Sequence, residues 1–115
     1  MIDAAAIAET IALYTKHGWT LRRVLLSAPL RQYLAATGDL MLATIPVINS
    51  ELDAAWFSRP SRVNCTAWEL RRLSGTPFAL VEVIDDRMDA GQADDLLKSL
   101  EMRMIKTAVR KPVGN

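Results

Sequence analysis

Apolar positions recur at helical spacing at the start of the chain. Ile7, Ile11 and Tyr14 follow one another at i, i+4 and i+7 among alanines, which predicts an amphipathic helix over residues 2–16. His17 and Gly18 end it, the glycine serving as C-terminal cap residue. The next run, Trp19 to Leu26, fits either period. Pro29 would limit a helix there and Ser27 offers a better start for the following one, so a strand is expected. Ser27 as N-cap and Pro29 in the first turn then open a short helix, with Leu30, Tyr33 and Leu34 on one face and Gly38 as its stop. Asp39 to Ser50 is apolar without a period and contains Pro46, and it reads as an extended segment of no assigned type.

The second half changes period. The runs LDAAWFS, TAWELRRLS and PFALVEVID predict three antiparallel strands, linked by RPSRVNC and by the turn-forming Gly75-Thr76-Pro77. Asp89 then caps a last helix with Gln92 at the N3 position, and Ala93, Leu96, Leu97, Leu100 and Met104 form its apolar face. The order α-β-α-β-β-β-α predicts one α+β domain over residues 1–115. Its expected form is two layers, an antiparallel sheet of about four strands with the helices packed on one face.

A turn over Ser74 to Pro77 would place Trp68, Leu70, Ala79, Val81 and Val83 together on the core face. The opposite face would then carry Glu69, Arg71 and Glu82 among Leu73, Phe78, Leu80 and Ile84. That mixture is too apolar for water and too charged for a dry core. Arg71, Leu73, Phe78, Leu80, Glu82 and Ile84 are therefore the expected interface residues, unless the segment from Asp39 to Ser50 covers them.

The stretch WTLRR, Trp19 to Arg23, returns as WELRR, Trp68 to Arg72. Strand alternation sends the two arginines of each copy to opposite faces, leaving Arg23 with Trp19 and Arg72 with Trp68. Guanidinium groups beside indoles suit phosphate, carboxylate or a stacked base, which makes Arg23, Arg72, Trp19 and Trp68 the candidate ligand-binding set. Alternation generates such echoes readily, and two short copies are no repeat architecture, so strand patterning is the favoured explanation.

Composition narrows the function classes. The chain has 115 residues, half of them hydrophobic, which fits a single folded unit with a real core. Basic residues outnumber acidic ones by 14 to 13, so no strong net field draws it to nucleic acid or an anionic membrane. No apolar run reaches membrane-spanning length, and the N-terminus lacks the basic region of a secretory signal, so no membrane partner and a cytoplasmic location are expected. Cys65 is the only cysteine, which excludes an intrachain disulfide and a cysteine-rich metal site.

Catalytic chemistry is sparse. His17 is the only histidine and sits at a helix end; Cys65 reads better as a small packed residue than as a nucleophile served by His17. Asp85, Asp86 and Asp89 lack the spacing of a calcium loop and suit turn and cap positions instead. No catalytic residue, metal ligand or cofactor is assigned, and whether the chain is an enzyme stays open, with the balance toward no. The basic stretch Arg103, Lys106, Arg110 and Lys111 answers the last helix's dipole before it suggests nucleic acid. The reading is a small non-catalytic binding or regulatory module that self-associates as a homodimer, with room for a protein partner. The alternatives are a small-molecule or anion binder, or an enzyme, using the Trp/Arg set, and nucleic-acid contact through the basic C-terminal helix.

Overall fold

The computed structural model describes residues 4–37, 44–74 and 78–109 of the chain. Gly38, the Gly75-Thr76-Pro77 turn and the basic residues Arg110 and Lys111 lie outside them. Helix α1 runs Ala4–Lys16 and buries Ile7 and Tyr14. Gly18 closes it in the left-handed region (φ 89°). The Gly18 N–H donates to the Thr15 carbonyl (3.1 Å) and the Trp19 N–H to the Tyr14 carbonyl (3.0 Å), the paired bonds of a Schellman cap. Strand β1, Thr20–Leu26, leads directly into helix α2, Ala28–Thr37. The Ser27 carbonyl accepts the first helical bond from the Arg31 N–H, and the Asp53 carboxylate holds the Ser27 N–H at 2.8 Å.

Within the segment whose pattern assigns no element, residues Val47–Asn49 form β2, a short strand parallel to β1. Parallel pairing requires a crossover, which α2 supplies. Strands β3 (Ala54–Pro60), β4 (Cys65–Arg72) and β5 (Ala79–Asp85) form the expected antiparallel meander. The sheet order is β2-β1-β3-β4-β5, five strands where about four were expected. The α+β class is as the sequence predicts.

Both sheet faces are packed. Val24, Leu26, Ala55 and Phe57 meet Ile7 and Tyr14 of α1 and Leu30 and Leu34 of α2. On the opposite face Leu25, Ala54, Trp56, Leu70 and Ile84 meet Leu97, Leu100 and Met104 of helix α3, Ala90–Val109. The helices thus divide between the faces instead of sharing one. Strand β3 lies between them, and five successive residues from Ala54 to Ser58 are buried, the mark of a strand covered on both sides.

Asp89 caps α3, its Oδ2 accepting from the Gly91 N–H (3.0 Å) and the Gln92 N–H (3.3 Å). Asp89→Ala should lower unfolding free energy by about 1 kcal/mol, while Asp89→Asn should lower it by much less. Equal losses for the two variants in urea titrations would show that the cap is not the stabilising contact.

Candidate interaction surface

The register of β1 against β3 decides the fate of the arginine doublet. Leu21 faces Phe57 and Arg23 faces Trp56, so Arg22 is an extra residue in a bulge. Simple alternation would send Arg22 and Arg23 to opposite faces. The bulge instead turns both toward α3, where the Arg22 guanidinium lies 5.7 Å from the Trp68 ring centroid and Arg23 Nη2 lies 3.7 Å from Asp94 Oδ1. In the second copy the split occurs as expected. Arg72 shares a row with Ala54 on the α3 face, and Arg71 shares one with Ala55 on the other.

Trp19, Trp68, Arg23 and Arg72 therefore do not gather. Trp19 packs in the cluster under α1 and α2, whereas Trp68 packs in the cluster under α3. Each indole takes a different arginine from the one its own copy supplies: Arg22 lies over Trp68, and Arg59 lies over Trp19 at 5.1 Å while donating to the His17 carbonyl. Nothing in the spacing of the echo signals either pairing. The Arg23 Nε is buried with no hydrogen-bond partner, the single such side-chain atom among the described residues.

The pairing of β4 with β5 is shifted by one residue from the expected register. Arg72 donates its N–H to the Phe78 carbonyl at 2.8 Å, Leu70 faces Leu80 and Trp68 faces Glu82. Leu73 continues the ladder of β3 with β4, its N–H donating to the Asp53 carbonyl (2.6 Å) one step beyond the pair of Ala54 and Arg72. Its side chain is buried with the α1 and α2 cluster, and Phe78 pairs with Arg72 instead of with Leu73. A shift of one residue exchanges the faces of a strand. Phe78, Leu80, Glu82 and Ile84 consequently stand on the α3 side with Leu70 and Trp68, Leu73 is core, and Arg71 is on the opposite face. The six expected interface residues are not one surface.

The strip that is open is the one expected to be core. Ala79, Val81 and Val83 share the face of Arg71, Glu69 and Ala67, and Val81 and Val83 are 55% and 37% exposed. These residues also form the free margin of the sheet. Because Arg72 and Phe78 are a hydrogen-bonded pair, antiparallel alternation directs the backbone groups of Ala79, Val81 and Val83 away from β4. No strand among the described residues receives them. The other margin, β2, is only three residues long and follows Pro46, a common way of blunting an edge.

Beside this strip lies a polar cluster that the sequence did not reveal. Tyr14 stacks on Phe57 with centroids 4.1 Å apart and meets Trp19 edge-on. Its hydroxyl donates to Glu69 Oε2. Burial, then the hydrogen bond and charge of Glu69, push the phenol up to about 12, with Arg71 pulling the other way. A folded value above the ordinary 10.0 means that the neutral phenol contributes stability fully below that pH and loses it as pH rises through about 12. Tyr14→Phe should therefore flatten the loss of stability between those limits. An unchanged alkaline denaturation curve in that variant would contradict this coupling.

The remaining candidates have structural roles. Cys65 opens β4 opposite Asp85 and makes no hydrogen bond with His17. Asp85 is held down to about 2 chiefly by its side-chain hydrogen bond with Arg87, Asp86 accepts from the Thr66 hydroxyl, and Asp89 is a cap. No group of acidic, histidine and cysteine side chains among the described residues could hold a metal ion. On α3, Met104 is core and Met102 is exposed. An open depression of about 640 Å³ lies where β1 and β2 end and α2 begins, but its Arg31 is already engaged by Asn49. No helix among the described residues is long and apolar enough to cross a membrane. Neither a protein-family model, a curated protein nor a solved structure matches the chain.

Proposed function

We propose that the protein is a non-catalytic binding module that works as a homodimer, its two copies joined along β5. The observation that carries this reading is the coincidence of two features on one strand: outward-directed backbone groups and an exposed apolar strip of Ala79, Val81 and Val83. An edge of seven residues without proline or lysine is a template for another strand. Its apolar side chains supply the burial that hydrogen bonds alone do not. Sedimentation equilibrium across a wide concentration range tests it. A mass tending to twice that of the chain supports the homodimer; a monomer at every concentration refutes it.

A second reading, an anion binder, draws on the buried and unpartnered Arg23 Nε. Asp94 close to the same guanidinium works against an anion there. Phosphate and carboxylate compounds should raise the melting temperature if this reading holds, and Arg23→Lys should abolish the rise. No shift across the panel removes it.

A further inference from the structure

The register of strand pairing deepens the homodimer proposed above and rests on that reading. A two-fold axis perpendicular to the sheet makes the β5 strands antiparallel, and only outward-directed residues can exchange hydrogen bonds across it. Ala79, Val81 and Val83 are those residues, so the axis can pass at Val81, at Glu82 or at Val83 while a substantial ladder is kept.

The three registers are not equivalent. An axis at Glu82 sets the two Glu82 carboxylates directly opposite each other in a close, non-hydrogen-bonded pair, and like charges there are destabilising. An axis at Val83 sets Asp85 against Val81 of the second copy. Asp85 is already committed, its carboxylate to the Arg87 guanidinium at 2.8 Å and its carbonyl to the Met88 N–H at 2.9 Å. An axis at Val81 meets neither obstacle. Val81 then faces Val81 of the second copy, Ala79 faces Val83, and Leu80 faces Glu82, so that small sits against large on the open face and no like charges meet.

We propose that two copies of this chain pair through antiparallel β5 strands with the axis at Val81, fusing their sheets into one continuous sheet. The occupant is a second copy because the strand, read backwards about Val81, satisfies its own edge. β5 itself places no charged side chain on the open face between Ala79 and Val83 that would select a strongly acidic or basic partner strand, and Arg71, opposite Ala79 on β4, is directed to the Tyr14 hydroxyl. The flanking Glu69 is tied to Tyr14, which keeps that carboxylate from the strip.

Single cysteines at positions 81, 82 and 83, each in a Cys65→Ser background, test the register by oxidative cross-linking of the full chain. Residues paired on the axis have Cα atoms about 5.5 Å apart, within disulfide range; residues offset by two or four positions exceed about 7 Å and cross-link poorly. Val81→Cys should form covalent dimer at least ~10-fold faster than Glu82→Cys or Val83→Cys, as the geometric limit implies. Nitroxides attached to the same cysteines should give the shortest interspin distance at 81, a readout free of disulfide strain. A maximum at 82 or 83, with wild-type protein still dimeric in sedimentation, overturns the register and leaves the homodimer. A monomeric wild type with no cross-link at any position overturns both.

Discussion

Trp56→Ala should cost about 3–5 kcal/mol of folding stability, a large part of the 5–15 kcal/mol typical of a domain. Trp56 is fully buried at the centre of β3, in one row with Arg23 and Leu70. Its ring meets Trp68 edge-on with centroids 6.1 Å apart, and its Nε1–H donates to Glu101 Oε2 at 2.8 Å. Truncation would leave a large cavity beneath α3 and remove the donor that pairs the half-buried Glu101 carboxylate. Trp56→Phe, which keeps most of the volume and loses the donor, should cost less. Urea denaturation of both variants separates the two contributions. A loss below about 1 kcal/mol for alanine would contradict the packing of α3 across this face.

Val81→Lys should leave folding nearly unchanged, within about 0.5 kcal/mol, because the side chain is already more than half exposed. Its effect should fall on association. Two lysines brought face to face at the axis, each losing water, cost several kcal/mol, and about 2.8 kcal/mol already weakens a dimer 100-fold. Sedimentation velocity at a concentration where wild type is dimeric should show a monomer. Glu101→Gln, on α3 beneath the opposite face, provides the control and should remain dimeric. A dimeric Val81→Lys protein would place the contact elsewhere.

The local signals in the sequence were the reliable ones. The i, i+4, i+7 spacing of α1, the Gly18 cap, the Ser27 start of α2 and the Asp89 cap of α3 each depend on a few adjacent residues, and each is present. The three antiparallel strands were legible for the same reason. What was illegible depended on contacts distant in sequence. The extra residue at Arg22 follows from pairing with β3, and the shift of β4 against β5 shows only in the pairing of Arg72 with Phe78. β2 is too short to leave a period, and only its partner β1 defines it.

These two irregularities account for the changed site. Without the bulge, Arg22 and Arg23 would part; with it, both face α3. Without the shift of β4 against β5, Ala79, Val81 and Val83 would lie with Leu70 and Trp68. With it, they are the open margin, and the residues expected to form the interface are divided among the core, the α3 side and Arg71.

Amide hydrogen exchange along β5, measured residue by residue at increasing protein concentration, tests the β5 contact most directly. Leu80 and Glu82 already donate inward to β4 and should be protected at every concentration. Ala79, Val81 and Val83 should exchange quickly when dilute and become protected together as the dimer forms. Rates at these three amides that stay fast and independent of concentration, in a sample shown by its mass to be dimeric, would contradict pairing through β5.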